Sequence, residues 1–576
     1  MLAANLTQLE SSGLIRLVQR TPDLEYLFRH ALVQEAAYDS ILKADRKLLH
    51  LAVAEEIEQL YGDRLDESAA LLGYHFREAG QKDKARDYFS RAADYASSKF
   101  ANGEAELSLR AALELSPGEQ EQASLSLRLG TILTVVGRLE EAQVFFQQAL
   151  PVYRKYRDFD NVAYIYAMFA QILWGLNDIA GVLKITEEGL DQVGEQPPGK
   201  GLADLLRWAA AGYVFNDRLN EATVLVYKAL DVSRKAKAYS ALAHSLTTLG
   251  VIQDRLGQPE QAVASHKQAI DIAEKYSLSN PNARARNNLA SLLVTMGRLS
   301  EAAAEYEYMA AVCQKENAIF AKIWFLTQLG LACLDLGKTP QAFELLRELD
   351  ADLKAAGGNT YREQYDDFLG MLYYYIGSLE QANETFTRLL ETTTNKQSIR
   401  STAVEQAAVL QAQGNHPEAV ALIEKGIQES GIWSGSEEWY LLASARALAG
   451  DGVGARRDLA RADDMIDAQQ PNFMQATERL RAEINIHLLE ERYADAIEKY
   501  RDLAGRYHAA EYRWRYAQTL REWAETCIKL DQLDAARELF YQAAAEFEAM
   551  QIPAYASHIR QQLAEMNTPG EIADLP

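Results

Sequence analysis

The feature that most constrains this chain is a helix–turn–helix pattern that recurs at a constant interval. The segments LGTILTVVGRLEEAQVFFQQAL (129–150), LGVIQDRLGQPEQAVASHKQAI (249–270) and LGMLYYYIGSLEQANETFTRLL (369–390) align without gaps. Residue types that tolerate left-handed backbone geometry recur at the turn, at Gly137, Asn177, Asp217, Gly257, Gly297, Gly337 and Gly377. Five positions later comes a small residue, at Ala142, Val182, Ala222, Ala262, Ala302, Ala342 and Ala382. One helical hairpin cannot bury its apolar face alone, so the repeat predicts stacked hairpins that share a continuous core.

Composition limits the partners of such a chain. The 576 residues carry a net charge of −23, which disfavours contact with nucleic acids and anionic membranes. No stretch of about 18 apolar residues is present, and three cysteines without CxxC spacing indicate a reducing compartment. We therefore expect a cytoplasmic protein that binds neither nucleic acid nor membrane.

The repeat resembles the tetratricopeptide repeat (TPR) family. The small first-helix residue of that family is matched here by Gly130, Gly250, Gly330, Gly370, Ala210, Ala290 and Ala407. The large second-helix residue, four after the small one, is matched by Phe146, Tyr306 and Phe386. The period of 40 is longer than the usual 34 of the family, and HEAT and armadillo repeats share it but lack this signature. The resemblance implies an all-α, TPR-like right-handed helical solenoid whose first helices line a concave groove.

The first sixty residues do not follow the repeat. We expect a helix, a turn at Gly13, a strand at 14–18, a turn at 21–23, a strand at 25–28 and then a long helix, which is a winged-helix order. Together with the helices that follow, this segment resembles the junction between ATPase module and TPR arm in bacterial signal-transduction ATPases. The residues that carry the resemblance are Phe28, Arg29, His30, Glu35, Ala36, Ala37, Tyr38, Arg46, His50 and His75.

That resemblance implies a nucleotide-sensing role for His30, which in the family lies against the bound nucleotide. A buried histidine that caps a helix is the alternative interpretation. The chain has no GxxxxGK[ST] loop and no ATPase core before Met1. We expect either a fragment of a longer ATPase or cyclase, or an ATPase module supplied in trans.

Five segments follow from these patterns. We predict a partial winged helix at 1–62, transitional helical repeats at 63–116, a regular solenoid at 117–430, a C-terminal sub-bundle at 431–566 and a flexible tail at 567–576. Repeat spacing contracts after Gly377, and the segment ESGIWSGSEEW (429–439) is rich in Gly and Ser. We therefore expect a hinge at 429–437.

Catalytic and metal-binding motifs are absent from the sequence. It contains no GxSxG, HExxH, paired CxxC or Rossmann glycine pattern, and His30, His50 and His75 are too far apart in sequence to propose a metal site. We expect a non-enzymatic protein without cofactor or metal.

The groove residues are the candidate site. A TPR-like register directs mixed aromatic, amide and basic side chains inward, namely Tyr164, Gln171, Trp174, Arg207, His244, Arg284, Asn287 and Trp324. Such a set suits a protein segment, a peptide or a small effector. Arg207 and Arg284 are the anion candidates, unless each pairs with a neighbouring acid such as Asp204. The predicted function is a scaffold or sensor arm that regulates a signal-transduction ATPase. The alternatives are the regulatory part of an ATPase or cyclase, and an autonomous adaptor.

Overall fold

Helices account for nearly all of the structure. The computed structural model describes residues 2–19, 25–99, 101–176, 178–316, 318–355, 362–393, 396–430, 435–466 and 471–566. These residues form 29 α-helices, one 3₁₀ turn and one two-stranded hairpin, which confirms the all-α expectation. The chain divides into two compact units, Met1–Asp217 and Arg218–Pro576, and each is described by itself.

The N-terminal segment has the predicted order of elements with one correction. Helix α1 (Leu2–Ser11) leads through Gly13, whose φ is +76°, into strands β1 (Ile15–Gln19) and β2 (Glu25–Phe28). The strands pair antiparallel, with Ile15 opposite Phe28. The expected single long helix is wrong: an extended residue at Ile41 separates α2 (Ala31–Ser40) from α3 (Lys43–Leu60).

The rest of the first unit is helical. After the 3₁₀ turn Gly62–Arg64, its helices are α4 (Ala69–Glu78), α5 (Lys82–Ser98), α6 (Asn102–Leu115), α7 (Glu119–Val135), α8 (Leu139–Lys155), α9 (Phe159–Gly175), α10 (Ile179–Val193) and α11 (Lys200–Phe215).

The second unit continues the pattern. Its helices are α12 (Leu219–Lys235), α13 (Tyr239–Arg255), α14 (Pro259–Lys275), α15 (Ser279–Thr295), α16 (Leu299–Lys315), α17 (Ile319–Asp335), α18 (Thr339–Ala355), α19 (Arg362–Tyr375), α20 (Leu379–Thr392), α21 (Lys396–Ala412), α22 (His416–Ser430), α23 (Ser436–Leu448), α24 (Gly452–Met465), α25 (Phe473–Leu489), α26 (Tyr493–Ala509), α27 (Arg513–Lys529), α28 (Leu533–Ala549) and α29 (Pro553–Met566).

Each sequence repeat is built from two helices, and in the middle of the array these are of equal length. All helices from α12 to α18 are equally long, and the same short connector joins each to the next. The predicted turn glycines have positive φ, for example +81° at Gly137, where the N–H of Arg138 donates to the carbonyl of Leu133 at 2.9 Å and caps the helix. In three repeats the second turn uses the same geometry without glycine, at Arg157, Lys237 and Ser277. The sequence did not predict these, because their residue types carry no turn signal.

A glycine on the first helix makes room for a ring from the second. A Cβ at Gly130 would lie 2.7 Å from the ring of Phe146, and one at Gly370 would lie 2.7 Å from the ring of Phe386. Both distances are too short for a side chain. In these hairpins the small and large positions of the predicted signature are therefore the two sides of one contact, whereas Gly330 faces Phe368 of the next hairpin.

In the second unit, the C-terminal helices pack against the turns of earlier repeats. Helix α25 contacts α15, and α27 contacts α17. Phe473 lies beside the turn at Gly297, and Met550 lies beside the turn at Gly337. The indole of Trp514 donates to the carbonyl of Tyr375 at 2.9 Å. Side chains far apart in the sequence thus meet, and no local pattern predicts this.

Several predictions fall on residues outside the described ranges. These are the turns at 21–23 and Asn177, the tail at 567–576 and residues 431–434 of the predicted hinge. The predicted domain boundaries and the hinge stay predictions.

Candidate binding surfaces on the first helices

Equivalent positions on successive first helices bring the candidate residues together. Tyr164 on α9, His244 on α13, Arg284 on α15 and Trp324 on α17 occupy the same register position and are separated by whole repeats. Because stacked hairpins repeat the same orientation, side chains at one register position form a column along the stack. Within the second unit, His244, Arg284 and Trp324 form such a column.

In the first unit, the candidate residues are mostly aromatic, and the arginine among them pairs with an acid. The Arg207 Nε donates to Asp204 Oδ1 at 2.9 Å, and its guanidinium lies 4.7 Å from the Trp208 ring centre. The pairing with Asp204 is the alternative that the sequence left open. Both Arg207 and Trp208 are 9% exposed. Arg207 is therefore buried and paired, and it does not form an open anion site.

Aromatic contacts surround that ion pair. The Trp174 ring lies 4.5 Å from the ring of Phe215 and 6.1 Å from that of Trp208. The Trp208 indole N–H is buried and has no hydrogen-bond acceptor among the described residues. Gln171, also on α9, is half-buried.

Tyr164 belongs to the same face. Its hydroxyl lies 3.3 Å from Thr131 Oγ1 on α7. Burial raises the pKa of Tyr164, and the charge of Asp204 raises it further. The phenol therefore stays protonated and can donate a hydrogen bond.

In the second unit, the column is basic and amide-rich. Arg284 Nη1 lies 3.3 Å from His244 Nδ1, and Nη2 lies 3.4 Å from Thr248 Oγ1. The indole of Trp324 donates to Asn287 Oδ1 at 2.9 Å, while 43% of the Trp324 side chain stays exposed. The two contacts join α13 to α15 and α15 to α17, so all four predicted residues of this unit lie on one ladder.

A buried histidine lies behind this ladder. His266 on α14 packs under Gly250, where a Cβ would lie 2.6 Å from the imidazole. Burial lowers the pKa of His266 to about 4, with a smaller contribution from the charge of Arg284. His266 is therefore neutral, and it occupies the register position that holds Phe146 and Phe386 in other repeats.

The sequence missed a set of desolvated carboxyl groups farther along the second unit. Asp367 on α19 and Glu405 on α21 hydrogen-bond to each other, and burial raises the pKa of both, that of Glu405 well above its usual range. Burial also raises the pKa of Asp254 on α13 and of Glu437 on α23. Acidic residues are common on helix surfaces, so nothing in the sequence distinguished these four from solvated ones.

The N-terminal segment contains a histidine pair. His50 Nδ1 lies 2.9 Å from His75 Nδ1, and the Tyr38 hydroxyl lies 3.0 Å from His50 Nε2. Burial, and then the charge of His50, lowers the pKa of His75. The sequence did not predict this contact, because the two histidines are far apart along the chain. They meet because α3 and α4 pack side by side.

His30 does not join the pair. It precedes α2, it is exposed, and its side chain makes no capping hydrogen bond. The alternative interpretation of a buried histidine that caps a helix is therefore wrong.

None of the described helices is long and apolar enough to cross a bilayer. The described His, Cys, Asp and Glu side chains form no group of three or more that could hold a metal ion.

Comparison with known proteins gives a family match in the middle of the chain. The tetratricopeptide-repeat family model matches residues 201–275. Outer dynein arm-docking complex subunit 4 of Xenopus laevis is 31% identical over 108 residues, which are 19% of this chain and 20% of the relative. The matched segment thus spans a fifth of that relative's length.

Solved structures give likenesses of fold. The Cut9–Hcn1 complex of APC/C aligns with 84% of this chain and 94% of its own, at 13% identity and a TM-score of 0.45. A STAND protein with a tetratricopeptide repeat sensor from Pyrococcus horikoshii aligns with 74% of this chain and 58% of its own, at 14% identity and a TM-score of 0.39. The segment that the family model matches lies inside the array of hairpins. The chain is an all-α protein of TPR-like helical hairpins.

Proposed function

We propose that this chain is a non-enzymatic scaffold that binds a peptide or a segment of a partner protein on the first helices of its repeats. The observation that carries the proposal is the ladder in the second unit, where Arg284 contacts His244 and Asn287 contacts Trp324. Contacts between neighbouring first helices hold the ladder side chains in place before a ligand arrives. The side chains therefore lose less conformational entropy when a ligand binds.

The chemistry of the ladder favours a peptide over a small apolar molecule. Trp324 supplies an exposed aromatic surface, Asn287 an amide, and Arg284 a cationic group within one continuous face. Aromatic residues and arginine dominate the binding energy of many protein interfaces, and amides pair with peptide backbone groups. The exposed edge of Trp324 is the expected contact for an apolar side chain of the ligand.

The regulatory part of the proposal rests on the N-terminal segment. We infer that binding on the repeats regulates a signal-transduction ATPase, in cis or in trans, as the resemblance around His30, His50 and His75 implies. A ligand regulates such a partner only if its affinity differs between two arrangements of the arm. The ladder supports this proposal, because each of its contacts joins two different repeats and depends on how those repeats are arranged.

A selection experiment tests peptide binding. The full chain is used to enrich a phage-displayed library of short random peptides, and the enriched peptides are titrated against the variants. Arg284→Ala/Trp324→Ala should weaken binding at least about tenfold, because charge-assisted and aromatic contacts are lost. Tyr227→Ala, an exposed aromatic on α12, is the matched control and should bind as the wild type does.

Two results would contradict the proposal. One is equal affinity of the enriched peptides for the wild type and the Arg284→Ala/Trp324→Ala variant, with unchanged circular dichroism. The other is a library from which the wild-type chain enriches no peptide. ATP hydrolysis by the purified chain would separately refute the non-enzymatic part.

A further inference from the structure

One face of α3 exposes a stripe of large apolar side chains. Leu42, directly before the helix, is 72% exposed, Leu49 is 53%, Val53 is 42% and Leu60 is 75%. Leu49, Val53 and Leu60 follow Leu42 by 7, 11 and 18 positions. At 3.6 residues per turn, each of them points within about 20° of the direction of Leu42 around the helix axis. The four side chains therefore form a single row along the whole helix.

The packing of α3 inside the chain does not use this row. The buried residues of α3 are His50 and Ala54, which point about 100° or more away from Leu49 by the same helical geometry. His50 contacts His75 on α4. The stripe is thus a second face of the helix, and apolar rows of this length on protein surfaces commonly mark interaction sites.

The spacing of the row is symmetric. Positions 42 and 60, and positions 49 and 53, are equidistant from position 51. If a second α3 lies antiparallel with its centre at position 51, Leu42 lies level with Leu60 of the second copy and Leu49 lies level with Val53. A two-fold axis requires this self-complementarity of a single surface.

The charges of α3 favour the same orientation. Its N-terminal part carries Lys43, Arg46 and Lys47 with one acid, Asp45, and its C-terminal part carries Glu55, Glu56 and Glu58 without a base. Arg46 pairs with Asp39 and Glu58 with Lys84 inside the chain. The remaining lysines and glutamates still give the two halves opposite charge. Antiparallel copies place unlike halves side by side, whereas parallel copies place like halves side by side.

We propose that the chain forms a two-fold symmetric dimer in which the α3 helices of two copies pack antiparallel through Leu42, Leu49, Val53 and Leu60. The interface centres on one helix of 18 residues, or about 27 Å. It is small compared with obligate dimer interfaces. The dimer therefore dissociates on dilution.

Sedimentation velocity of the full chain measures the association. Between about 1 and 100 μM, the range in which small interfaces dissociate, the wild type should shift from the chain mass of 64.4 kDa to twice that mass. Leu49→Asp should stay at the chain mass over the whole range, because it places a charge in the middle of the row. Leu107→Asp is the matched control: Leu107 is a leucine on α6 that is more exposed than Leu49, and this variant should dimerise as the wild type does.

Disulfide cross-linking tests the orientation. In the antiparallel dimer the two Leu42 positions lie about 27 Å apart, while Leu42 of one copy lies beside Leu60 of the other. Leu42→Cys/Leu60→Cys should therefore form a covalent dimer under mild oxidation, and Leu42→Cys alone should not. The three native cysteines are buried and serve as the background in the wild type.

Each remaining outcome overturns the proposal. A wild type that stays at the chain mass up to the highest concentration shows that something other than a second copy covers the row. Leu49→Asp dimers show that the interface lies elsewhere. Cross-linking of the single Leu42→Cys variant shows a parallel arrangement.

Discussion

At the residue scale, the contact between the small and large positions of the repeat is made by an apolar ring in some hairpins and by a polar ring in another. Phe146 under Gly130 and Phe386 under Gly370 fill their space with an apolar ring. His266 fills the equivalent space under Gly250 with a neutral imidazole, and its Nδ1 has no hydrogen-bond partner among the described residues. A buried polar atom without a partner lowers stability by about 1–3 kcal/mol. His266 is therefore a weak point of an otherwise regular core.

The variant His266→Phe should raise the thermal midpoint of the chain. The phenyl ring removes the unpaired nitrogen and occupies a space that other repeats fill with phenylalanine. The reverse change Phe146→His is the control and should lower the midpoint. A His266→Phe variant less stable than the wild type at pH 7.5 would show that the imidazole makes a favourable contact in this site.

The stability gained in His266→Phe should grow as the pH falls. The pKa of His266 is lowered from 6.5 to about 4, so between these values the unfolded chain binds a proton that the folded chain does not. Stability contributed by the neutral imidazole is present above pH 6.5 and is lost as the pH falls toward 4. The free energy of unfolding falls by about 3 kcal/mol across this pH range. Melting curves of wild type and variant at pH 7.5 and pH 5 should diverge at the lower pH, and parallel shifts would contradict the assignment.

The residue patterns predicted the hairpins and the register of the first helices. Gly130 and Phe146 were predicted as the small and large positions of one repeat, and the structure adds that they are in contact. His266 was not predicted at the large position, because histidine is not a typical core residue. His244, Arg284 and Trp324 were predicted to share one inward register position, and binding at that position stays a prediction. The Arg207–Asp204 pair could only be left open, since side-chain conformation decides it.

At the element scale, the end of helix α17 carries contacts that a simple stack does not need. Asp335 at the end of α17 accepts hydrogen bonds from Tyr375 at 2.7 Å and from Arg515 on α27 at 3.0 Å. Arg515 also lies 3.4 Å from Glu478 on α25. The sequence could not predict this network, because it depends on the sum of many small rotations between successive hairpins.

Arg515→Ala should loosen the contact between α27 and the α17 turn. Removing the guanidinium leaves Asp335 largely buried beside Tyr375 without a cation, and breaking a buried pair commonly costs about 3–5 kcal/mol. Hydrogen exchange of the amides at 335–338 should become faster. Arg506→Ala, which removes an exposed pair with Asp502 on α26, is the control and should leave these amides unchanged. Equal exchange in Arg515→Ala and the wild type would show that the network does not hold the elements together.

At the scale of the whole molecule, the second unit combines a predicted hinge with a contact that spans it. Helix α22 ends at Ser430 and α23 begins at Ser436, both within the segment 429–437 that is expected to be cut first. Limited proteolysis should cleave within 429–437 before any site in 120–390, because Gly and Ser are concentrated in this connector. The two fragments should separate on a denaturing gel yet elute together under native conditions, since α25 and α27 contact α15 and α17. Earlier cleavage inside 120–390, or fragments that elute apart, would contradict this prediction.

The contacts of the C-terminal helices with the turns at Gly297, Gly337 and Gly377 bear on how such a chain can evolve. Repeat arrays commonly gain or lose whole repeats, because each hairpin meets its neighbours in the same way. Between α15 and α25 that freedom is absent: adding or deleting one repeat there would displace Phe473, Met550 and Tyr555 from the turns they cover. Duplication and loss of repeats should therefore be tolerated before α15 and selected against between α15 and α25. The number of hairpins between these two helices is fixed as a result.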